Sequence, residues 1–297
     1  GQIQTERFSC GKDQLVWMFF PSGFQILAPL KQLPTVDASL VIRHGHFHDV
    51  LEGTAHALEH LIIKDVRMEG PHPLFRPLVR HGLEWNAYTN WERTLYWGKT
   101  THRSGALLIQ ALLRIVNSDD LLTADRLEKE RPAILQECRG RTEERRINDA
   151  LFRELYPHIP RFHTASLGSV DTISRLPIED LRQAHKEHYT LGNMALVVEG
   201  IDSESALLEA ISPDLLTLLM QPRTHRREEG PLADYGRTDD FSFTVEERPH
   251  VERVWMRTPR LFVAPEQTEL FRKACGILEP IFQDMTREDL RRKRGII

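Results

Sequence analysis

The chain has 297 residues, of which 40% are hydrophobic and 28% charged, with a formal net charge of −4. That balance suits a globular protein with a sizeable core, and the length suggests about two domains. Lys and Arg are spread along the chain, which excludes a concentrated basic footprint for nucleic acid, and no apolar run approaches the roughly 18 residues of a membrane span.

Residues 15–20 (Leu-Val-Trp-Met-Phe-Phe) and 24–28 read as two strands, with Pro21-Ser22-Gly23 as the turn between them. Residues 38–44 read as a third, buried strand in a central position. His44, His46 and His48 then alternate, which on a strand places all three on one face. Such a row can bind zinc and is a rival metal site, although a glycine lies among the three and no carboxylate or cysteine motif accompanies them. The plainer reading is a wet strand end leading to the loop at Gly53.

The next stretch, Gly53-Thr54-Ala55-His56-Ala57-Leu58-Glu59-His60-Leu61-Ile62-Ile63, holds the chemistry. Neither Pro nor Gly interrupts residues 54–69, and Leu58, Leu61 and Ile62 form an apolar stripe at helical spacing, so this segment is expected to be a helix. Histidines four apart project from the same side of a helix, one turn above the other, so the imidazoles of His56 and His60 can converge on one cation. Glu59 stands beside that position without having to be a ligand, which leaves it free to act as a base on a water activated by the metal. The order His-x-x-Glu-His is the inverzincin signature. Two histidines leave a zinc ion short of a third protein ligand and an open position.

Residues 71–80 read as a loop and short helix, and residues 86–99, rich in Thr, Tyr and Trp, as one long strand. Ser104 is an expected N-cap for a helix over 105–117. A longer helix is expected over 123–147, with Pro132 kinking it or starting a new one. It carries Glu130 and Glu137, which seven residues of separation, nearly two turns, would face the same way. Further helices are expected over 148–155 and 177–188, a buried strand over 194–199 and a helix over 203–219. Residues 221–240, polar and broken by Pro222, Gly230, Pro231 and Gly236, read as a linker; strands over 241–247 and 250–258 and a helix over 266–282 follow.

His56-x-x-Glu59-His60, with Glu130 and Glu137 downstream, resembles the pitrilysin and insulinase metallopeptidases, a family that includes the mitochondrial processing peptidases. Asn86-Ala87-Tyr88-Thr89 with Glu92-Arg93-Thr94-Leu95-Tyr96 is similar to the family's Asn-Ala-x-Thr segment and the strand after it. Leu167-Gly168-Ser169 and Asn193-Met194-Ala195-Leu196-Val197-Val198-Glu199-Gly200 look like later parts of the same catalytic domain, and the resemblance covers about the first 200 residues. Leu290-Arg291 with Gly295-Ile296 looks like a segment of the family's second, homologous domain.

The resemblance implies an α+β fold with a mostly antiparallel sheet covered by helices on one face, then the start of a second similar module. The chain accordingly divides into a catalytic metallopeptidase domain (1–220), a linker (221–240) and an incomplete second homologous domain (241–297). It implies one Zn²⁺ per chain, held by His56, His60 and Glu137, with Glu59 as the catalytic base and Glu130 supporting the catalytic centre. It implies a peptide substrate that adds as a strand beside the metal, contacting Asn86 and Ala87. The function implied is that of a zinc-dependent endopeptidase. Family members close two or four modules around the substrate, so a partner subunit, in a homo- or hetero-oligomer, or a missing C-terminal half is expected to complete the cavity. The alternative is a non-catalytic structural or partner-binding subunit of a peptidase-like complex, which metal analysis would separate from the enzyme.

Cys10, Cys138 and Cys275 are too few and too scattered for a disulfide framework, and Cys138 reads as a small buried apolar residue. The N-terminus lacks the basic-then-apolar pattern of a signal peptide. Because residue 1 is Gly, the compartment stays open: cytoplasmic, or periplasmic or organellar if a leader has been removed.

Overall fold

The computed structural model describes residues 1–10, 13–64, 82–91, 93–140, 167–222, 245–248 and 251–254. The chain divides into two compact units, Gly1–Gly236 and Arg237–Ile297. A seven-stranded sheet organises the first. Its strands are β1 (Gln4–Cys10), β2 (Asp13–Phe19), β3 (Gln25–Leu30), β4 (Thr35–Ile42), β5 (Glu84–Thr89), β6 (Thr94–Thr101) and β7 (Met194–Glu199), in spatial order β1-β2-β3-β7-β4-β6-β5. Every neighbouring pair is antiparallel except β3 with β7. The described part of the second unit is an antiparallel ribbon of β8 (Val245–Arg248) and β9 (Val251–Val254).

The sheet has a buried face because its strands alternate. In β4, Val36, Ala38, Leu40 and Ile42 are buried, while Asp37, Ser39 and Val41 between them are half-buried. Helix α1 (Thr54–Lys64) packs against β5 and β6, and α2 (Gly105–Leu113) crosses β4 and β6. The approach of α2 is close: a Cβ on Gly105 would stand 2.6 Å from Val36 Cγ2. α3 (Ala124–Arg139) and α5 (Ile178–His188) flank α1, and α4 (Val170–Arg175) packs on α3. Enclosed in this way, α1 buries Ala55, Ala57, Leu58, Leu61, Ile62 and Ile63 along almost its whole circumference. α6 (Glu204–Glu209) and α7 (Pro213–Leu219) complete the described helices, none of which is long and apolar enough to cross a membrane.

Several sequence expectations need correction. Residues 86–99 do not form one strand. They turn back as the hairpin β5–β6, closed where Asn90 N donates to Arg93 O and Asn90 Oδ1 accepts from Arg93 N. The helix expected over 203–219 is two, because Pro213 has no N–H to continue α6 and instead opens α7. Ser104 holds the N-cap position of α2 without a side-chain cap bond. α2 ends at Leu113 and tightens into a 3₁₀ turn over Arg114–Asn117. Pro132 does not start a new helix, since α3 runs through it from a Thr123 cap to Gly140. Strand β1 has no counterpart in the sequence reading: its side chains are mostly exposed, so no apolar alternation marked it. The expectations for residues 65–69, 71–80, 141–147, 148–155 and 266–282, and almost all of 221–240, lie outside the described residues.

Candidate metal centre

The first two site residues come from α1. Its N-terminus is capped at a distance: Asp49 Oδ1 accepts from Ala55 N at 2.9 Å and Oδ2 from Gly53 N at 3.1 Å, satisfying donors that a helix start leaves open. Gly53 has φ of +90°, and its Cα lies so near Gly168 that a Cβ would meet Gly168 Cα at 3.0 Å and Ile173 Cδ1 at 2.5 Å. Glycine is therefore needed at the point where α1 begins. Downstream, the turn spacing of four brings the Nε2 atoms of His56 and His60 to 3.1 Å.

α3 supplies the rest. It is fastened to α1 by Arg126, whose Nη2 donates to Leu61 O at 3.1 Å. Leu127, Glu130, Ile134 and Cys138 lie on its buried face. Glu137, beside that stripe, reaches both imidazoles: Oε2 is 3.3 Å from His56 Nε2 and Oε1 is 3.5 Å from His60 Nε2. Hydrogen bonds from the two rings, His56 foremost, hold the Glu137 carboxyl far below the usual carboxylate range, against a smaller opposing effect of burial. Ligand atoms of His56, His60 and Glu137 all lie within 4.8 Å of one another, the only such metal-competent group among the described residues. Two imidazole nitrogens and a carboxylate, half of whose side chain remains open to solvent, form the donor set of an open zinc site, and these residues fit that ion.

Glu130 is buried, with Oε2 4.0 Å from His60 Nδ1, beyond hydrogen-bond range but on the ring's far side from Glu137. Glu59 is also buried, and its Oε2 accepts from Thr89 Oγ1 at 2.7 Å. Behind it stand Thr94, whose Oγ1 donates to His44 O, and the hydroxyls of Tyr96 and Tyr189, 3.0 Å apart. Burial pushes both tyrosine hydroxyls up, so this wall stays uncharged. Asn86 is exposed and Ala87 buried on β5, the edge strand next to α1.

The histidine row expected at 44, 46 and 48 does not form. β4 ends at Ile42 and residues 46–48 make a 3₁₀ turn, so the period of two is lost. His46 packs on Trp91, and His44 stacks on His188 with ring centroids 4.2 Å apart. Cys138 is buried, as expected, its thiol donating to Leu167 O. Asp49 and Thr89 are the site residues that spacing could not reveal, because each acts on α1 through tertiary contact.

Residues 26–169 match the model of the family described as Insulinase (Peptidase family M16). That match lies within the first unit. Among curated relatives, the mitochondrial-processing peptidase beta subunit of Neurospora crassa is 30% identical over 165 residues, 54% of this chain and 34% of that protein. The human beta subunit is 26% identical over 195 residues, 63% of this chain and 39% of that protein. The chain thus spans well under half the length of these relatives. Among solved structures, pitrilysin superposes with a TM-score of 0.60 at 20% identity, over 74% of this chain and 25% of that one. A protease from Helicobacter pylori superposes with a TM-score of 0.53 at 20% identity, over 77% of this chain and 52% of that one. The insulinase-family fold expected from the motif is therefore present: a mixed α+β domain built on a largely antiparallel sheet, with the His-x-x-Glu-His helix packed against it.

Proposed function

We propose that this insulinase-family chain is a zinc-dependent endopeptidase. The observation that supports it most is the meeting of His56 and His60 on α1 with Glu137 on α3, residues separated by more than 70 positions, with all ligand atoms inside 4.8 Å. A zinc ion held by these three would supply Lewis acidity, polarising the scissile carbonyl and making the attacking water a stronger acid. Glu59 takes a proton from that water and returns it to the leaving amine. Glu130, on the Nδ1 side of His60, supports the site by orienting that ring or by tuning the site's charge. Among the described residues β5 has only β6 as a sheet neighbour, so an extended peptide can add along its other edge, with Asn86 and Ala87 in contact.

The division into a catalytic domain (1–220), linker (221–240) and incomplete second domain (241–297) belongs to the same proposal. So does completion of the cavity by a partner subunit or a C-terminal half, an inference drawn from relatives that extend far beyond this match.

The test is zinc analysis of protein purified without chelator, with mass-spectrometric cleavage of a peptide library, for the wild type and Glu59→Gln. One zinc per chain, chelator-sensitive cleavage by the wild type, and loss of about 100- to 10,000-fold in rate with zinc retained in Glu59→Gln is the expected result. Wild-type rates in Glu59→Gln would refute the base. Less than about one tenth of an equivalent of zinc would favour a non-catalytic scaffold.

A further inference from the structure

The hydroxyl of Thr89 contacts the proposed base, Glu59, and the peptidase reading gives it no part. Thr89 is the last residue of β5, and its Oγ1 donates to Glu59 Oε2 at 2.7 Å across 30 positions of sequence. The neighbouring hydroxyl, Thr94 Oγ1, is 3.2 Å from Thr89 Oγ1 and donates to His44 O at 2.8 Å. Thr94 is paired with Thr89 in the β5–β6 register and is fully buried, so the Thr89 hydroxyl has a firm wall behind it.

We propose that Thr89 is the positioning residue of Glu59: its hydroxyl holds Oε2 against the protein and leaves Oε1 as the oxygen that meets the water. The inference rests on the peptidase reading for its consequence. A glutamate has three side-chain torsions, and a free carboxylate would sample several rotamers beside His60. A hydrogen bond at one oxygen selects one of them, and it does so from the strand to which the substrate would add. Seating of a peptide along β5 and placement of the base are then mechanically linked, because Ala87 and Thr89 lie on the same side of one short strand.

The experiment compares wild type, Thr89→Val and Thr89→Ser of the 297-residue chain, loaded with zinc. The probe is a quenched fluorescent peptide bearing the cleavage site that the library screen finds for the wild type. Val keeps the shape and deletes the donor; Ser keeps the donor and deletes a methyl group. Thr89→Val should lose about 100-fold in kcat, the scale on which a misplaced catalytic group costs rate, with KM within about twofold. Zinc content should not change. Thr89→Ser should return to within about threefold of wild-type kcat. Crystal structures of the variants supply a readout free of turnover: the Glu59 carboxylate should leave its wild-type rotamer in Thr89→Val and keep it in Thr89→Ser.

Wild-type kcat in Thr89→Val, a loss that Ser does not restore, or an unmoved Glu59 in the Thr89→Val crystal overturns the proposal. A wild-type chain that binds zinc and cleaves no peptide, even with the cavity completed by a partner subunit or C-terminal half, defeats the peptidase reading instead, and the rotamer comparison still decides whether Thr89 holds Glu59.

Discussion

In the proposed metal centre Glu137 is the residue on which zinc binding turns, because it alone of the three comes from outside α1. In Glu137→Gln the side chain keeps its length and its capacity to accept from one imidazole, so packing of α3 is preserved. The charge is lost. Two unit charges 4 Å apart interact by about 1 kcal/mol in water and about 4 kcal/mol where the effective dielectric constant is near 20, and a divalent ion doubles either figure. The Glu137 side chain is 51% exposed, which places the site toward the watery end of that range. A cost of roughly 2–4 kcal/mol follows, or about 30- to 1,000-fold in zinc affinity. The assay is competition with a chromophoric chelator at fixed pH and salt, with His56→Ala as the reference for a site lacking a histidine ligand. Affinity within about threefold of wild type in Glu137→Gln would refute the assignment of this carboxylate as a ligand.

Two stability predictions follow from the start of α1. Burial outweighs the hydrogen bonds from Ala55, Gly53 and Thr54 and pushes the Asp49 carboxyl up to about 8, so the folded protein keeps a proton that the unfolded chain releases. The stability from this group is present below about pH 4 and is lost as pH rises toward 8, at up to about 1.4 kcal/mol per unit, so urea midpoints of Asp49→Asn should decline less between pH 5 and 8 than those of wild type; equal slopes would count against it. Gly53→Ala meets Ile173 and Gly168 at a positive φ and should lower stability by about 1–3 kcal/mol, read as a fall of several degrees in the thermal midpoint; an unchanged midpoint would show that the two loops part without strain.

The residues differ in how far the sequence alone discloses them, and the difference follows the range of the interaction. His56, Glu59 and His60 are related by helical geometry within two turns, so their spacing was enough to foresee the facing rings. The alternation in β4 likewise marks a strand with one buried face. Where a single local signal competed with composition, composition misled: the turn at Asn90–Arg93 is short beside two Thr- and Tyr-rich strands, and Pro213 lies inside a leucine-rich run that otherwise suits one helix. β1 is an edge strand with polar side chains and leaves no periodic trace.

By itself, then, the sequence determined the pair of histidines, the acid between them and the helix that carries all three, since each depends on neighbours a few residues away. Its likeness to a known family nominated Glu130 and Glu137, but spacing alone could not say that α3 would lie against α1. Tertiary structure decided that, through Arg126 on Leu61, and it decided that Asp49 caps the helix of the two histidines and that Thr89 bonds the Glu59 carboxylate. It also dissolved the row of histidines 44, 46 and 48, because the strand ends at Ile42 and a 3₁₀ turn over residues 46–48 replaces the period that would have aligned them. The physical reason is common to all of these: a contact between distant parts of a chain is set by how whole elements pack, and no short stretch of residues encodes that packing.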